Sequence, residues 1–397
     1  MKKSCLSKVE NQLLVSLACY PVDSDRPPNI DDKSFNVVDW EKIIKRAAAE
    51  GVELILYKNL KTFFPQYSLP SNIENTLRRS YYCARIEIDT YVEKLVPLFQ
   101  LLNSEDIKYL VLRGININAT LYRDSWLRSF SDVDLLVEPE KRAVFIEYLM
   151  HSGFTGDEIY DNVFYRDGLT LDLHFHPVDS DRIISRNYLS DLSFEDLFRR
   201  RVRIKFANLS FWGLWKIDQI SLLAFHLLKH SYSQLIWIAD ISNAMYGLEG
   251  AQEWEDLYSR AYEKNLLKPI YYVCYFLNEA LGLTFNGMMV RYFNSKELNL
   301  LEKLLLNRFI IRRRADQTAE LFMLFMISGA LKKLKFLKES LFLREGIRHQ
   351  VSEYQTFKDK ILYFPERVIM LLKILFKLIF RSFNRKPIEN EEVIIIE

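Results

Sequence analysis

Apolar residues recur at helical spacing through the first hundred residues of the chain and again after residue 213. In "NVVDWEKIIKRAAAEGVELILYKNL" (36–60) they repeat every three to four residues on both sides of Gly51, which predicts two helices separated at this glycine. The segment "KIDQISLLAFHLLKHSYSQLIWIADISNAMYGL" (216–248) has the same spacing. The pattern therefore predicts an N-terminal helical region over residues 1–103 and a C-terminal one over 213–355.

The hydrophobic pattern changes between these regions. Short runs rich in Val, Ile, Leu and Phe predict strands at "IKYLVL" (107–112), "VDLLV" (133–137), "TLDLHF" (170–175) and "VRIKF" (202–206). Between the second and third runs, "PEKRAVFIEYLMHSGF" predicts a helix that begins near Pro139 and stops at Gly153. The predicted fold class is α+β: a small mixed sheet over residues 104–212, with helices on one side, flanked by the two helical regions.

Composition narrows the choice of partner and compartment. The chain has 397 residues, of which 49% are hydrophobic and 27% charged, so a sizeable core is expected. The net charge of +2 gives no general electrostatic reason to bind a polynucleotide. The four cysteines form no C-x-x-C pair, and no run of 18 apolar residues occurs. These features predict a cytoplasmic protein.

The last region, residues 356–397, combines a basic amphipathic segment with an acidic tail. "PERVIMLLKILFKLIFRSFNRK" (365–386) places Lys373, Lys377 and Arg381 in one stripe of an otherwise apolar helix. Packing on the protein's own helices is the favoured interpretation. A subunit interface and contact with an anionic membrane surface stay open, and so does the oligomeric state.

Paired carboxylates carry the candidate chemistry. Asp132 and Asp134 stand two residues apart at the start of a predicted strand, where alternate side chains point to the same side. Two such carboxylates repel unless a cation lies between them, and oxygen ligands suit Mg²⁺ or Mn²⁺. Asp172, on a later predicted strand, completes a set suited to two-metal phosphoryl transfer. The alternative is a solvated Asp pair, or an Asx-turn with Ser131.

Three further patterns accompany the carboxylates. Arg113 and Gly114 end a predicted strand, where a glycine allows close backbone approach and the arginine suits a phosphate. Asp172 alternates with His174 and His176, which is also a pattern for zinc or for a metal-dependent hydrolase. The hexapeptide "PVDSDR" occurs at 21–26 and at 177–182, and both copies are interpreted as turns.

In this order the motifs resemble the nucleotidyltransferase superfamily with the DNA polymerase β-type fold. More narrowly, the chain is similar over about residues 35–350 to a poorly characterised bacterial nucleotidyltransferase family. The positions that carry this similarity are Arg113-Gly114, Leu121-Tyr122, Arg128, Ser131-Asp132-Val133-Asp134-Leu135-Leu136-Val137, Leu171-Asp172-Leu173-His174, His226, His230, Trp237 and Asp240. The chain departs from the family in having Arg113 where lysine is common, and no hydroxyl residue follows Gly114.

The resemblance implies transfer of a nucleoside monophosphate from an NTP to a hydroxyl of an unidentified acceptor, with release of pyrophosphate. Asp132, Asp134 and Asp172 would bind Mg²⁺ or Mn²⁺, and Asp172 would accept the acceptor's proton. Arg113, Gly114, Arg128 and Ser131 would bind the nucleotide, although Arg128 could instead pair with a core carboxylate. His174 would orient a carboxylate, and His226, His230 and Asp240 would line the acceptor cleft.

Two alternatives to this function stay open. One is a hydrolase that uses Asp172, His174 and His176, and the other is a nucleotide-binding regulator without turnover. A small molecule, peptide or protein is favoured over RNA as the acceptor, because the chain is nearly neutral.

Overall fold

The computed structural model describes residues 6–104, 107–180, 183–307, 319–341 and 369. The α-helices are α1 (Lys8–Ala18), α2 (Ser34–Val37), α3 (Trp40–Ala49), α4 (Glu53–Phe63), α5 (Ser71–Ser104), α6 (Ile115–Leu121), α7 (Arg142–His151), α8 (Phe194–Arg199), α9 (Lys216–Lys229), α10 (Leu235–Tyr246), α11 (Gly250–Glu263), α12 (Leu267–Leu281), α13 (Met288–Tyr292), α14 (Leu300–Leu305), α15 (Ala319–Met326) and α16 (Ala330–Leu341). Short 3₁₀ helices span Ser125–Leu127, Pro139–Lys141, Ile184–Tyr188 and Ser295–Glu297.

One mixed sheet lies at the centre of the described chain. Its strands are β1 (Tyr109–Val111), β2 (Val133–Val137), β3 (Thr155–Gly156), β4 (Val163–Arg166), β5 (Leu169–His174), β6 (Val202–Phe206) and β7 (Leu209–Gly213). Their spatial order is β3-β4-β5-β2-β1-β7-β6. The β2–β5 and β1–β7 pairs are parallel, and the other neighbours are antiparallel. All four predicted strands are confirmed, and β3, β4 and β7 are additional.

Apolar side chains on the two faces of the sheet enter two different cores. Leu110 and Leu136 join the large cluster formed with the helices that follow the sheet in sequence. Val111, Leu135 and their same-face neighbours pack with the second half of α5 and with α7. The α+β class is confirmed, but the prediction of helices on one side only is wrong, because both faces of these strands carry apolar side chains that need cover.

The N-terminal and C-terminal helical regions share a core. α1 contacts α4 as well as α10 and α12, and residues of all four helices belong to one buried cluster. α3 ends just before Gly51, whose positive φ of 70° turns the chain into α4. The side chain of Glu50 then accepts the backbone N–H of Leu235 at 2.9 Å, which ties this corner to the start of α10. The boundaries of the four sequence regions stay a prediction.

Residues 365–386, for which a membrane-surface contact was considered, lie outside the described residues. Among the described helices, none combines the length and the apolar character that crossing a membrane would require.

Candidate active site

The candidate site forms where β2 and β5 run side by side. Their parallel register places Asp134 directly opposite Asp172. Val133 and Leu135 face the core formed with α5 and α7, so alternation turns Asp134 to the opposite face of the sheet. Asp132 precedes the strand and is half-buried. The fold therefore brings two of the three predicted carboxylates together on one face, with the third at the edge of the pair.

His174, the last residue of β5, completes the tightest cluster of possible ligand atoms. Its Nε2 lies 3.1 Å from Oδ1 of Asp134 and 3.5 Å from Oδ2 of Asp172. Within the described residues, Asp134, Asp172 and His174 can place one ligand atom each within 4.8 Å of one another. This group differs from the predicted metal set, because His174 takes the place that was assigned to Asp132.

The charges of the cluster are strongly coupled. Burial raises the pKa of Asp134, but Arg113 and His174 outweigh it and hold that pKa well below its usual range. Burial, with the negative charge of Asp134 next, raises the pKa of Asp132 to about 6. Burial lowers the pKa of His174, but its hydrogen bonds to Asp134 and Asp179 prevail and raise it to about 9.

Asp179 is the functional candidate that sequence reasoning missed. It lies in the second copy of "PVDSDR", where the prediction was a turn, and its side chain is buried. The chain does turn there, and Asp179 has a positive φ of 54°. Its Oδ1 pairs with Nδ1 of His174 at 2.9 Å, and its Oδ2 accepts from Nζ of Lys229 at 2.6 Å. A carboxylate on Nδ1 aims the opposite ring nitrogen, here toward Asp134 and Asp172.

Arg113 follows β1 and enters the same cluster. Its Nε donates to Oδ2 of Asp134 at 3.1 Å, and its Nη2 donates to Oδ1 of that carboxylate. Its Nη1 donates to Nδ1 of His226, a buried imidazole on α9 whose pKa is held well below its usual range by burial and by Arg113. The guanidinium therefore bridges the sheet and α9.

Gly114 has a specific steric reason to be glycine. Its φ is +59°, and a Cβ added there would lie 2.6 Å from the backbone oxygen of Asp132. Any side chain would push apart the two segments that carry Arg113 and Asp132. Ser131, predicted to bind nucleotide, is exposed beside them, and its carbonyl accepts from the hydroxyl of Tyr91 at 3.2 Å.

Arg128 and Asp240 form a buried pair on α10's side of the sheet. Nη2 of Arg128 lies 3.2 Å from Oδ2 of Asp240, and the hydroxyl of Tyr122 donates to Oδ1 at 2.9 Å. Arg128 is 8% exposed and Asp240 is fully buried. This geometry favours the ion pair with a core carboxylate, the second of the two roles considered for Arg128.

His226, His230 and Trp237 form one aromatic group, with ring centroids 4.5–5.0 Å apart. His226 contacts Arg113, whereas His230 is exposed. His176, the second histidine of the hydrolase alternative, accepts the backbone N–H of Val178 through its Nδ1 at 3.2 Å.

The site has a closed side and an open side. A cavity of about 20 Å³ borders Arg113, His174, Asp179, His226 and Lys229. That volume suits about one water molecule. On the other side, the side chain of Asp172 is 34% exposed. The Asp172 side of the site is therefore the side that is accessible to solvent.

The donor set fits a divalent cation. Two carboxylates and one imidazole within 4.8 Å are ligands that Mn²⁺ accepts, and the carboxylates alone also suit Mg²⁺. Asp179 supplies the partner that a ligating imidazole commonly has on its other nitrogen. Two features oppose the fit. Both oxygens of Asp134 already bind Arg113, and the raised pKa of His174 means that its imidazole must give up a proton to bind a cation.

A family model described as uncharacterised nucleotidyltransferase matches residues 36–282, more than half of the chain. The chain belongs to this family. The match includes α3 through α12 and every site residue described above. No curated protein matches the chain, and no solved structure does. Family membership confirms the predicted recognition and places the chain among enzymes of the transferase class, with nucleotidyl transfer as the coarse activity.

Because Arg128 and Asp240 are paired in the core, we expect Arg128→Gln and Asp240→Asn each to lower the free energy of unfolding by about 3–5 kcal/mol. The double variant should lose clearly less than the sum of the two, because neither charge is then left alone. Denaturant unfolding of the four proteins gives this comparison. If Arg128→Gln is as stable as the wild type and only its KM for NTP rises, Arg128 binds phosphate instead.

Because Asp179 fixes the ring of His174, we expect Asp179→Asn to lower the transfer rate by roughly 10–100-fold. Asparagine tolerates the left-handed backbone at this position, so the turn should persist. Asp23→Asn is the matched control, since Asp23 holds the same place in the first copy of the hexapeptide and is exposed. Equal transfer rates for Asp179→Asn and Asp23→Asn would show that Asp179 does not contribute to the reaction.

Proposed function

We propose that this nucleotidyltransferase moves a nucleoside monophosphate from an NTP to an acceptor hydroxyl and releases pyrophosphate, in the presence of Mg²⁺ or Mn²⁺. The observation that carries the proposal is the pairing of Asp134 with Asp172 across two parallel strands, with His174 against both and Arg113 beside them. Carboxylates, an imidazole and a guanidinium on one face combine cation ligands with a phosphate ligand.

The reaction forms one bond and breaks one. The acceptor oxygen attacks the α-phosphorus, the bond from that phosphorus to the bridging oxygen breaks, and pyrophosphate leaves with that oxygen. Asp172 is proposed to take the acceptor's proton, because it is the partly exposed carboxylate of the pair. A divalent cation held by Asp134, Asp172 and His174 would neutralise phosphate charge and acidify the acceptor hydroxyl.

The other residues position the reactants. Arg113 is proposed to bind the triphosphate, with Gly114 keeping the adjacent backbone close to Asp132. Asp132 is half-buried and Ser131 is exposed, so both can be reached by a ligand, which supports their predicted roles as cation ligand and nucleotide contact. His226, on α9, and His230, directly after this helix, are proposed to face the acceptor. Arg128 is assigned to phosphate binding only if Arg128→Gln is as stable as the wild type and raises the KM for NTP.

The proposal is tested with each of the four α-labelled NTPs, a cell extract as the source of acceptor, and Mg²⁺ or Mn²⁺. We expect label to move from one preferred NTP into a new product, and EDTA to stop the transfer. Fractionation into small molecules, proteins and RNA then identifies the class of acceptor, for which the first two are favoured.

Two other results would each contradict the proposal. Tight binding of NTP without labelled product or pyrophosphate, across all fractions, would indicate a regulator that has lost turnover. Hydrolysis of a phosphoester without any NTP, supported by stoichiometric bound zinc, would instead support the hydrolase that uses Asp172, His174 and His176.

A further inference from the structure

Three contacts to cationic or imidazole groups already engage the carboxylate of Asp134. Arg113 uses both carboxylate oxygens, through Nε at 3.1 Å and through Nη2. His174 also lies 3.1 Å from Oδ1. The side chain of Asp134 is only 7% exposed, so solvent does not contribute much to its stabilisation. In this conformation the positive charge that the carboxylate needs comes from the protein itself.

The guanidinium of Arg113 also has partners on both sides. The same guanidinium that would bind a triphosphate is held between Asp134 on the sheet and His226 on α9. It also lies 3.3 Å from Nε2 of His174, so two cationic groups share one carboxylate. A phosphate chain can gain Arg113 only by competing with Asp134, and a cation can gain Asp134 only by competing with Arg113.

We infer that Arg113 is an internal cation that couples nucleotide binding to metal binding: nucleotide phosphates draw Arg113 from Asp134 and thereby open Asp134 to the metal. The inference rests on the proposed function and adds an order to it, in which metal without nucleotide binds weakly. Each ligand removes the competitor of the other, so the two affinities must rise together by the same factor.

Chemistry favours such an exchange. An arginine–carboxylate pair with two parallel hydrogen bonds is strong, yet a triphosphate offers the same guanidinium more oxygens and more charge. The carboxylate that is released keeps only His174 as a partner until a metal arrives. Separation of the pair without both ligands would leave a buried carboxylate without its arginine partner, which is costly.

The first test measures Mn²⁺ binding in the absence of nucleotide, by the loss of the electron paramagnetic resonance signal of free Mn²⁺. We expect Arg113→Gln to bind Mn²⁺ at least about tenfold more tightly than the wild type, within the usual range of coupling between sites. Arg186→Gln is the charge control, because Arg186 also stands near the cluster but pairs with Asp179, at 3.8 Å. Arg186→Gln should change the Mn²⁺ affinity by less than about threefold.

If Arg113→Gln does not fold, Arg113→Lys takes its place. A lysine keeps the charge but cannot form the two parallel bonds, so its Mn²⁺ affinity should still exceed that of the wild type by about threefold or more. Equal affinity of wild type and variant overturns the inference and leaves the proposed function standing. Absence of Mn²⁺ binding in every protein, including Arg113→Gln, also overturns the inference, and the labelled-NTP transfer tests the proposed function independently.

The second test takes the opposite direction and measures nucleotide binding in EDTA. Asp134→Asn frees Arg113, so the variant should bind the metal-free NTP at least about fivefold more tightly than Asp172→Asn does. The two variants remove the same charge from paired positions, but only the first breaks the pair with Arg113. Equal affinities would show that loss of repulsion, and not release of Arg113, explains any gain, and would overturn the inference.

Discussion

Replacing Asp172 by Asn should lower nucleotidyl transfer by at least about 10³-fold, because cation-assisted stabilisation of the transition state is worth several kcal/mol. The fold should persist with a free energy of unfolding within about 1 kcal/mol of the wild type. Asp172 is 34% exposed, and its nearest ion-pair partner is His174 at 3.5 Å. Burial raises the pKa of Asp172, so a neutral side chain relieves a cost.

Pyrophosphate release and denaturant unfolding measure the two effects on the same sample. Asp167→Asn is the matched control, since Asp167 lies in the β4–β5 turn of the same hairpin with its side chain 81% exposed. It should keep the wild-type rate. If Asp172→Asn also keeps the wild-type rate of pyrophosphate release at saturating metal, Asp172 does not take part in the reaction.

Replacing Asp134 by Asn should remove the activity and also destabilise the protein, by about 3–5 kcal/mol. The isosteric change suggests from sequence alone that the strand survives unharmed. The structure adds that Asp134 is the ion-pair partner of Arg113, and the amide leaves that guanidinium without this partner. Asp134 and Asp172 are register partners, so the difference in stability between Asp134→Asn and Asp172→Asn reports the ion pair with Arg113.

Adding Arg113→Gln to Asp134→Asn should restore part of the lost stability, since no buried charge is then left unpaired. Denaturant unfolding of both single variants and the double variant gives the coupling. Two results would contradict a structural ion pair. Asp134→Asn could unfold at the same denaturant concentration as the wild type, or the double variant could lose as much unfolding free energy as the two single variants together.

The strand assignments that matter for chemistry were predictable from local sequence. "VDLLV" and "TLDLH" show the apolar alternation of strands, and their aspartates occupy corresponding places in that pattern. Family membership then follows from the same motifs. β7 could have been predicted too, because "VRIKF" and "LSFWG" are separated by two residues only, the length of a tight hairpin.

The partners of the site residues could not be predicted in this way. Asp179 pairs with Lys229, which is 50 residues away, and Arg128 pairs with Asp240 at a separation of 112. Nothing in a single sequence shows that Asp179 is buried while Asp23, in the same place of the other "PVDSDR", is exposed, because burial of Asp179 depends on contacts with distant residues such as Lys229. The bond between Arg113 and Asp134 likewise depends on the antiparallel register of β1 and β2.

The position of a phosphorus label in the products distinguishes nucleotidyl transfer from other reactions of an NTP. The preferred NTP is supplied in two forms, labelled at the α- or at the γ-phosphorus, with Mn²⁺ and the acceptor fraction. We expect α-label to appear in the product and γ-label to appear in pyrophosphate, in equal amounts. Appearance of γ-label in the product, or as inorganic phosphate without α-label transfer, would contradict nucleotidyl transfer.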